Sequence, residues 1–224
     1  MILKKVINLI RNFGLLLGGY VLFFIALGLL SILFPGMDLD SYQQTDLNRL
    51  LEESPMKLVI LAVILAPLIE EGMFRTLIKP SRNELIFFLS IWLFVIALAI
   101  IPHDVNWMIK FGFLFLFFIL SFIFLREFIP STWQNKMCRF LSRYYKIVWM
   151  ITAVVFGMVH IFNYVEGFEL NFVLMLLIFP RIIAGYFFGK IKVENKGLIW
   201  PIAMHAMNNG LVFIVLLPRI LFSS

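Results

Sequence analysis

Long apolar runs recur along this chain, separated by short polar stretches. Seven of them approach the roughly 17–25 residues that a membrane-crossing helix needs. They fall at about 12–34, 56–79, 84–101, 109–129, 147–163, 170–189 and 198–218. The pattern predicts an all-α fold, a polytopic transmembrane helical bundle of about seven spans, forming one integral membrane domain over 1–224. Lys4, Lys5 and Arg11 precede the first run as they would in a signal peptide. That run is too long for one and lacks an A-x-A cleavage pattern, so it reads as a retained span.

The polar stretches sort by charge. Lys4, Lys5 and Arg11 precede the first span, and Lys79 and Arg82 lie between the second and third. Arg126, Lys136, Arg139, Arg143 and Lys146 fall between the fourth and fifth; Lys190, Lys192 and Lys196 between the sixth and seventh. The alternate loops carry Asp38, Asp40, Asp46, Glu52, Glu53, Asp104, Glu166 and Glu169, with few bases among them. The positive-inside rule then places the N-terminus in the cytoplasm and the C-terminus outside. In STWQNKMCRFLSRYYK, Trp133, Met137, Phe140, Leu141 and Tyr144 recur at helical spacing, with Lys136, Arg139, Arg143 and Lys146 elsewhere on the wheel. That predicts an amphipathic helix in the cytoplasmic interface. The Phe-rich fourth span reads as a packing or lipid-facing helix.

Composition sharpens this reading. The chain is 62% hydrophobic and only 14% charged, which excludes an ordinary soluble domain. Its net charge of +6 is spread between apolar runs, so it speaks for membrane topology and against a nucleic-acid partner. A single cysteine, Cys138, rules out an internal disulfide framework.

Chemistry must come from the few polar residues inside the spans. Glu70, Glu71 and Arg75 lie in PLIEEGMFR; His160 lies late in the fifth span. His205, Asn208 and Asn209 lie in the seventh, and Arg181 follows Pro180 in the sixth. His103, in the short outer loop IPHDVNW, needs no special account. One ionisable residue at mid-bilayer costs about 2.5–3.5 kcal/mol on insertion scales, so such a set is by default functional. Glu71 and Arg75 are four apart and can pair on one helix face, while Glu70 points about 100° away. Phe156 stands one turn before His160, and His205 and Asn209 are likewise one turn apart. At 1.5 Å per residue, Glu70 and His205 lie roughly 12–15 Å from the cytoplasmic ends of their spans, and His160 roughly 20 Å.

Several chemistries are open to this set. Glu70 can act as general base on a water shared with a histidine. A second histidine and an amide donor can stabilise an oxyanion. Alternatively, Glu70, His160 and His205 form a zinc ligand set with an open position for water. A structural ion pair, a hydrogen-bonded histidine or a carrier pathway accounts for each feature taken singly. A carrier would more naturally show inverted repeats, which are missing here.

Taken together, EEGMFR (70–75), FGMVH (156–160) and HAMNN (205–209) resemble the three motifs of the CPBP family, the CAAX proteases and bacteriocin-processing enzymes also called Abi proteins. The resemblance implies an intramembrane endopeptidase in a bacterial cell membrane, acting on a peptide or membrane-protein substrate. Glu70 and His160 would activate water, His205 and Asn209 would stabilise the oxyanion, and Glu71 and Arg75 would support the site. The family is usually labelled a metalloprotease, so Zn2+ and a metal-free Glu/His mechanism stand side by side. The same resemblance admits a non-proteolytic bacteriocin-immunity or scaffold protein. One departure is an inserted helical hairpin, about 84–129, between the first two motifs; its even number of crossings keeps the second and fifth spans antiparallel.

Overall fold

The computed structural model describes residues 2–39, 41–44, 54–102 and 104–222, the side chains of 216–222 excepted. Asp40, Asp46, Glu52, Glu53 and His103, assigned above to outer loops, lie outside the described residues. Among the described residues all regular structure is helical. The chain divides into two compact units, Met1–Leu68 with Trp149–Ser224, and Ile69–Val148.

The first unit is built on α1 (Ile2–Leu33) and, past its acidic loop, α2 (Pro55–Val59) with a π-helical segment (Ile60–Leu65). A further helix, α3 (Ala66–Phe74), opens in this unit and runs into the second. Most of α7 (Tyr145–Val159), a 3-10 turn (His160–Asn163), α8 (Phe172–Asn195) and α9 (Ile199–Phe222) complete the first unit.

Two of these helices run beyond the apolar stretches that predicted them. The first starts at Ile2 rather than near 12, and α8 ends at Asn195 rather than near 189. Lys4, Lys5, Arg11, Lys190 and Lys192 are therefore helical residues and not loop residues. Side-chain bonding between the two polar ends explains the extensions. Buried Asn12 donates to Glu194 Oε2 at 2.8 Å, and Asn8 donates to Glu194 Oε2 and Asn195 Oδ1 at 3.0 and 2.9 Å. Asn195 in turn donates to the Lys5 carbonyl at 2.9 Å. Hydropathy alone cannot register a helix end held by such bonds.

Small residues set how closely α7 and α8 approach, since side chains would hold the backbones apart. A Cβ on Gly185 would stand 3.0 Å from the Ala153 Cα and carbonyl, and one on Gly157 only 2.2 Å from Ile182 Cγ1. The Trp149 indole fills the space at Gly189, stacks on Tyr186 at 4.9 Å and donates to the Tyr186 carbonyl at 2.9 Å. Along the α1–α8 seam, Gly19 faces Ile183 and Phe23 stacks on Phe179.

The second unit carries the end of α3, then α4 (Arg82–Ile100), α5 (Trp107–Phe128) and α6 (Ser131–Arg143). Helix α4 starts at a capping box in which Ser81 and Glu84 exchange backbone-to-side-chain bonds. Asn106 caps α5. Together α4 and α5 are the hairpin expected at 84–129, and the Phe87 and Phe118 rings meet edge to face across it.

The helix expected at 131–146 is α6. Trp133, Phe140 and Tyr144 are exposed. The buried position is Gln134, whose amide donates to the Ile129 carbonyl at 2.8 Å and so satisfies the backbone where α5 ends. Cys138 sits on this helix with its thiol pushed up, first by burial and then by Glu84. That makes it a poor nucleophile.

Among the described residues, five helices are long and apolar enough to cross a membrane: Ile2–Leu33, Arg82–Ile100, Trp107–Phe128, Tyr145–Asn163 and Phe172–Asn195. The predicted count of seven is not reached on that criterion. The π segment divides the second run into short pieces, and the described apolar part of α9, Ile199–Val215, is shorter. The orientation expected from the loop charges is checked by a fusion experiment. A topology reporter after Glu169 is expected to read as external, and one near Arg139 as cytoplasmic. The opposite pattern, or both on one side, would overturn the orientation.

Candidate functional site

The sequence-predicted site residues fall in both units. Glu70, Glu71 and Arg75 belong to the second; His160, His205 and Asn209 belong to the first.

In the second unit, Glu70 and Glu71 sit on the last turns of α3, which ends at Phe74 instead of continuing to 79. Arg75 opens the turn that follows, its N–H still bonded to the Glu71 carbonyl at 2.9 Å. The predicted one-turn pair forms: Arg75 Nε lies 3.2 Å from Glu71 Oε2, and both side chains are fully buried. Glu70, rotated away, is only half-buried. Gly72 admits Phe87 where a Cβ would meet its ring at 2.6 Å, so α4 packs hard against the motif helix. Beyond the turn that follows, Lys79 takes a left-handed conformation (φ 50°) just before Pro80. Lys79 Nζ then rests 3.8 Å over the Tyr145 ring.

In the first unit, the two histidines gather around one phenylalanine. The His160 ring lies 4.7 Å from the Phe156 ring, and the His205 ring meets Phe156 edge-on at 5.7 Å. Buried His205 also stacks on Phe188 at 4.7 Å. His160 Nδ1 lies 2.6 Å from the Phe156 carbonyl. A carbonyl only accepts, so Nδ1 carries the hydrogen and Nε2 of neutral His160 presents the lone pair. The carbonyl is that of the residue one turn earlier, where α7 gives way to the 3-10 turn.

Asn209 is fixed from two sides. Its amide donates to the Ala62 carbonyl at 2.8 Å, and its own oxygen accepts from Asn208 at 3.3 Å. Ala62 lies in the π segment, whose Ala66 N–H reaches back five residues to Leu61. A π turn re-aims backbone carbonyls, and such turns are frequent at functional sites. One amide hydrogen of Asn209 stays available beyond Ala62. Asn208 accepts from the Tyr20 hydroxyl at 3.0 Å.

Sequence reasoning anticipated the Phe156–His160 contact and the Glu71–Arg75 pair. It missed Phe188 and Tyr20. Nothing marks Phe188 among 26 phenylalanines, and Tyr20 sits in a span with no other polar signal nearby. Among the described residues no three His, Cys, Asp or Glu side chains are grouped to hold one metal ion.

Comparison with known proteins gives one match. The family model described as type II CAAX prenyl endopeptidase Rce1-like matches residues 52–211, a span that holds all three motifs. No curated protein and no solved structure matches the chain.

Proposed function

Because the chain belongs to the Rce1-like family of type II CAAX prenyl endopeptidases, we propose that it is an intramembrane endopeptidase that hydrolyses a peptide bond with a Glu/His-activated water. The observation that carries this reading is the family match over a region in which every residue of the three motifs is present. Glu70 takes a proton from water while His160 Nε2 accepts the water's other hydrogen and orients it. The resulting hydroxide attacks the scissile carbonyl carbon. His205 and Asn209 donate to the oxygen on which charge develops. Protonated Glu70 then delivers its proton to the amine nitrogen as the C–N bond breaks. The Nδ1 bond to the Phe156 carbonyl supports the tautomer this step requires of His160. The buried Glu71–Arg75 pair supports the helix end beside Glu70 without taking part in the chemistry.

Asn209 separates this mechanism from zinc catalysis. As an oxyanion donor, its loss in Asn209→Ala slows turnover by roughly 10²–10³-fold with substrate binding largely kept. Stoichiometric zinc in the wild type that vanishes in His205→Ala, with Asn209→Ala nearly fully active, would assign His205 as a metal ligand instead.

A further inference from the structure

Tyr20 has no place in the mechanism above, and it precedes residues 52–211, which the family model matches. It lies well inside the long apolar helix α1. A hydroxyl in such a span has to find a partner within the protein, because hydrocarbon offers none. Its partner is on α9, where the hydroxyl donates to Asn208 Oδ1 at 3.0 Å. From Asn208 the bonding continues to Asn209 and on to the Ala62 carbonyl, all within the first unit.

The direction of every bond in this chain follows from its last member. The Ala62 carbonyl only accepts, so Asn209 turns its amide nitrogen to it, at 2.8 Å. The Asn209 oxygen then faces Asn208, which must present its own nitrogen, at 3.3 Å. That leaves the Asn208 oxygen toward Tyr20, and the hydroxyl has to donate. Turning either amide over would set oxygen against oxygen. Without the hydroxyl, Asn208 loses the donor on its oxygen, and with it the bond that keeps its nitrogen toward Asn209. Hydrogen bonds in such a chain also polarise one another, so each makes the next amide N–H a stronger donor.

We propose that Tyr20 is a positioning residue for the reaction: acting through Asn208, its hydroxyl fixes the orientation of the Asn209 amide and strengthens its N–H as a donor to the oxyanion. The inference rests on the endopeptidase reading, in which Asn209 stabilises the developing charge. The alternative is a bond that only ties α1 to α9, as interhelical hydrogen bonds in membranes commonly do.

Turnover of a fluorogenic farnesylated CAAX-type peptide by protein in nanodiscs separates the two. Tyr20→Phe keeps the ring and removes only the hydroxyl, and its thermal transition checks that the protein still folds. Its kcat is expected to fall roughly 3–30-fold with KM little changed, because the oxyanion develops only in the transition state. In an Asn209→Ala background the same substitution should cost nothing further, since the group it acts through is gone. Asn208→Ala, which breaks the chain one link on, should reproduce the kcat loss even where Tyr20→Phe does not fold. An equal loss from Tyr20→Phe in both backgrounds, or full turnover by Tyr20→Phe, overturns the proposal.

A second readout needs no substrate. In protein carrying isotope-labelled asparagine, the side-chain amide NMR signal that vanishes in Asn209→Ala belongs to Asn209. Tyr20→Phe and Asn208→Ala are each expected to shift that signal, and a signal that neither variant moves overturns the proposal. Wild-type protein that leaves the peptide intact, or Asn209→Ala that cleaves it normally, would sink the reading of the reaction. The Asn209 signal then decides by itself whether Tyr20 holds that amide.

Discussion

Glu70→Gln abolishes proteolysis in the mechanism proposed here, while the protein still inserts and folds. Glutamine keeps the size and shape of the carboxylate but cannot take a proton from water. General-base catalysis by a positioned side chain contributes roughly 10²–10⁴-fold, and Glu70 also returns the proton to the leaving amine. The expected loss is therefore at the upper end of that range or beyond it. Folding should tolerate the change because Glu70 is only half-buried and Arg75 has its ion-pair partner in Glu71. Turnover in detergent, set beside the elution profile and thermal transition of the same sample, checks both halves. Near-normal turnover by Glu70→Gln would remove Glu70 from the reaction.

Arg75→Ala has the largest expected effect on stability. Arg75 and Glu71 are fully buried at 3.2 Å, and removing one member strands the other charge. Such a break costs roughly 3–5 kcal/mol, whereas replacing both partners by apolar residues of similar volume is often far milder. Arg75→Ala should thus lower expression and the thermal transition together with activity. The double variant Glu71→Leu with Arg75→Met should recover much of the stability. A well-expressed, thermally normal but inactive Arg75→Ala would place Arg75 among the groups that touch the reaction.

What the sequence made legible followed the range of the forces involved. Each predicted apolar run is helical, because a run of that length and hydropathy has to satisfy its backbone internally in lipid. Helix ends were read less well. Those of α1 and α8 depend on Asn8, Asn12, Glu194 and Asn195 bonding across some 180 residues of chain, which no local window registers. The π segment in ILAVIL has no polar or glycine marker at all. Within the candidate site, one-turn relations were visible in the spacing: Glu71 with Arg75, and Phe156 with His160. Relations between helices were not. The stack of His205 on Phe188, the edge contact of His205 with Phe156 and the bond of Asn209 to Ala62 each join residues that only the folded helix pairs bring together. The buried place of Gln134 on α6 was not legible either, because it comes from an amide satisfying the Ile129 carbonyl rather than from an apolar side chain.

The most direct test of the central claim is mass spectrometry of the products formed when purified protein in liposomes meets a farnesylated CAAX-type peptide. The account predicts that wild-type protein releases the intact C-terminal tripeptide and that Glu70→Gln releases none. Recovery of uncleaved peptide from both proteins alike, with prenylated and unprenylated substrates, would contradict it and leave a non-proteolytic immunity or scaffold role for this chain.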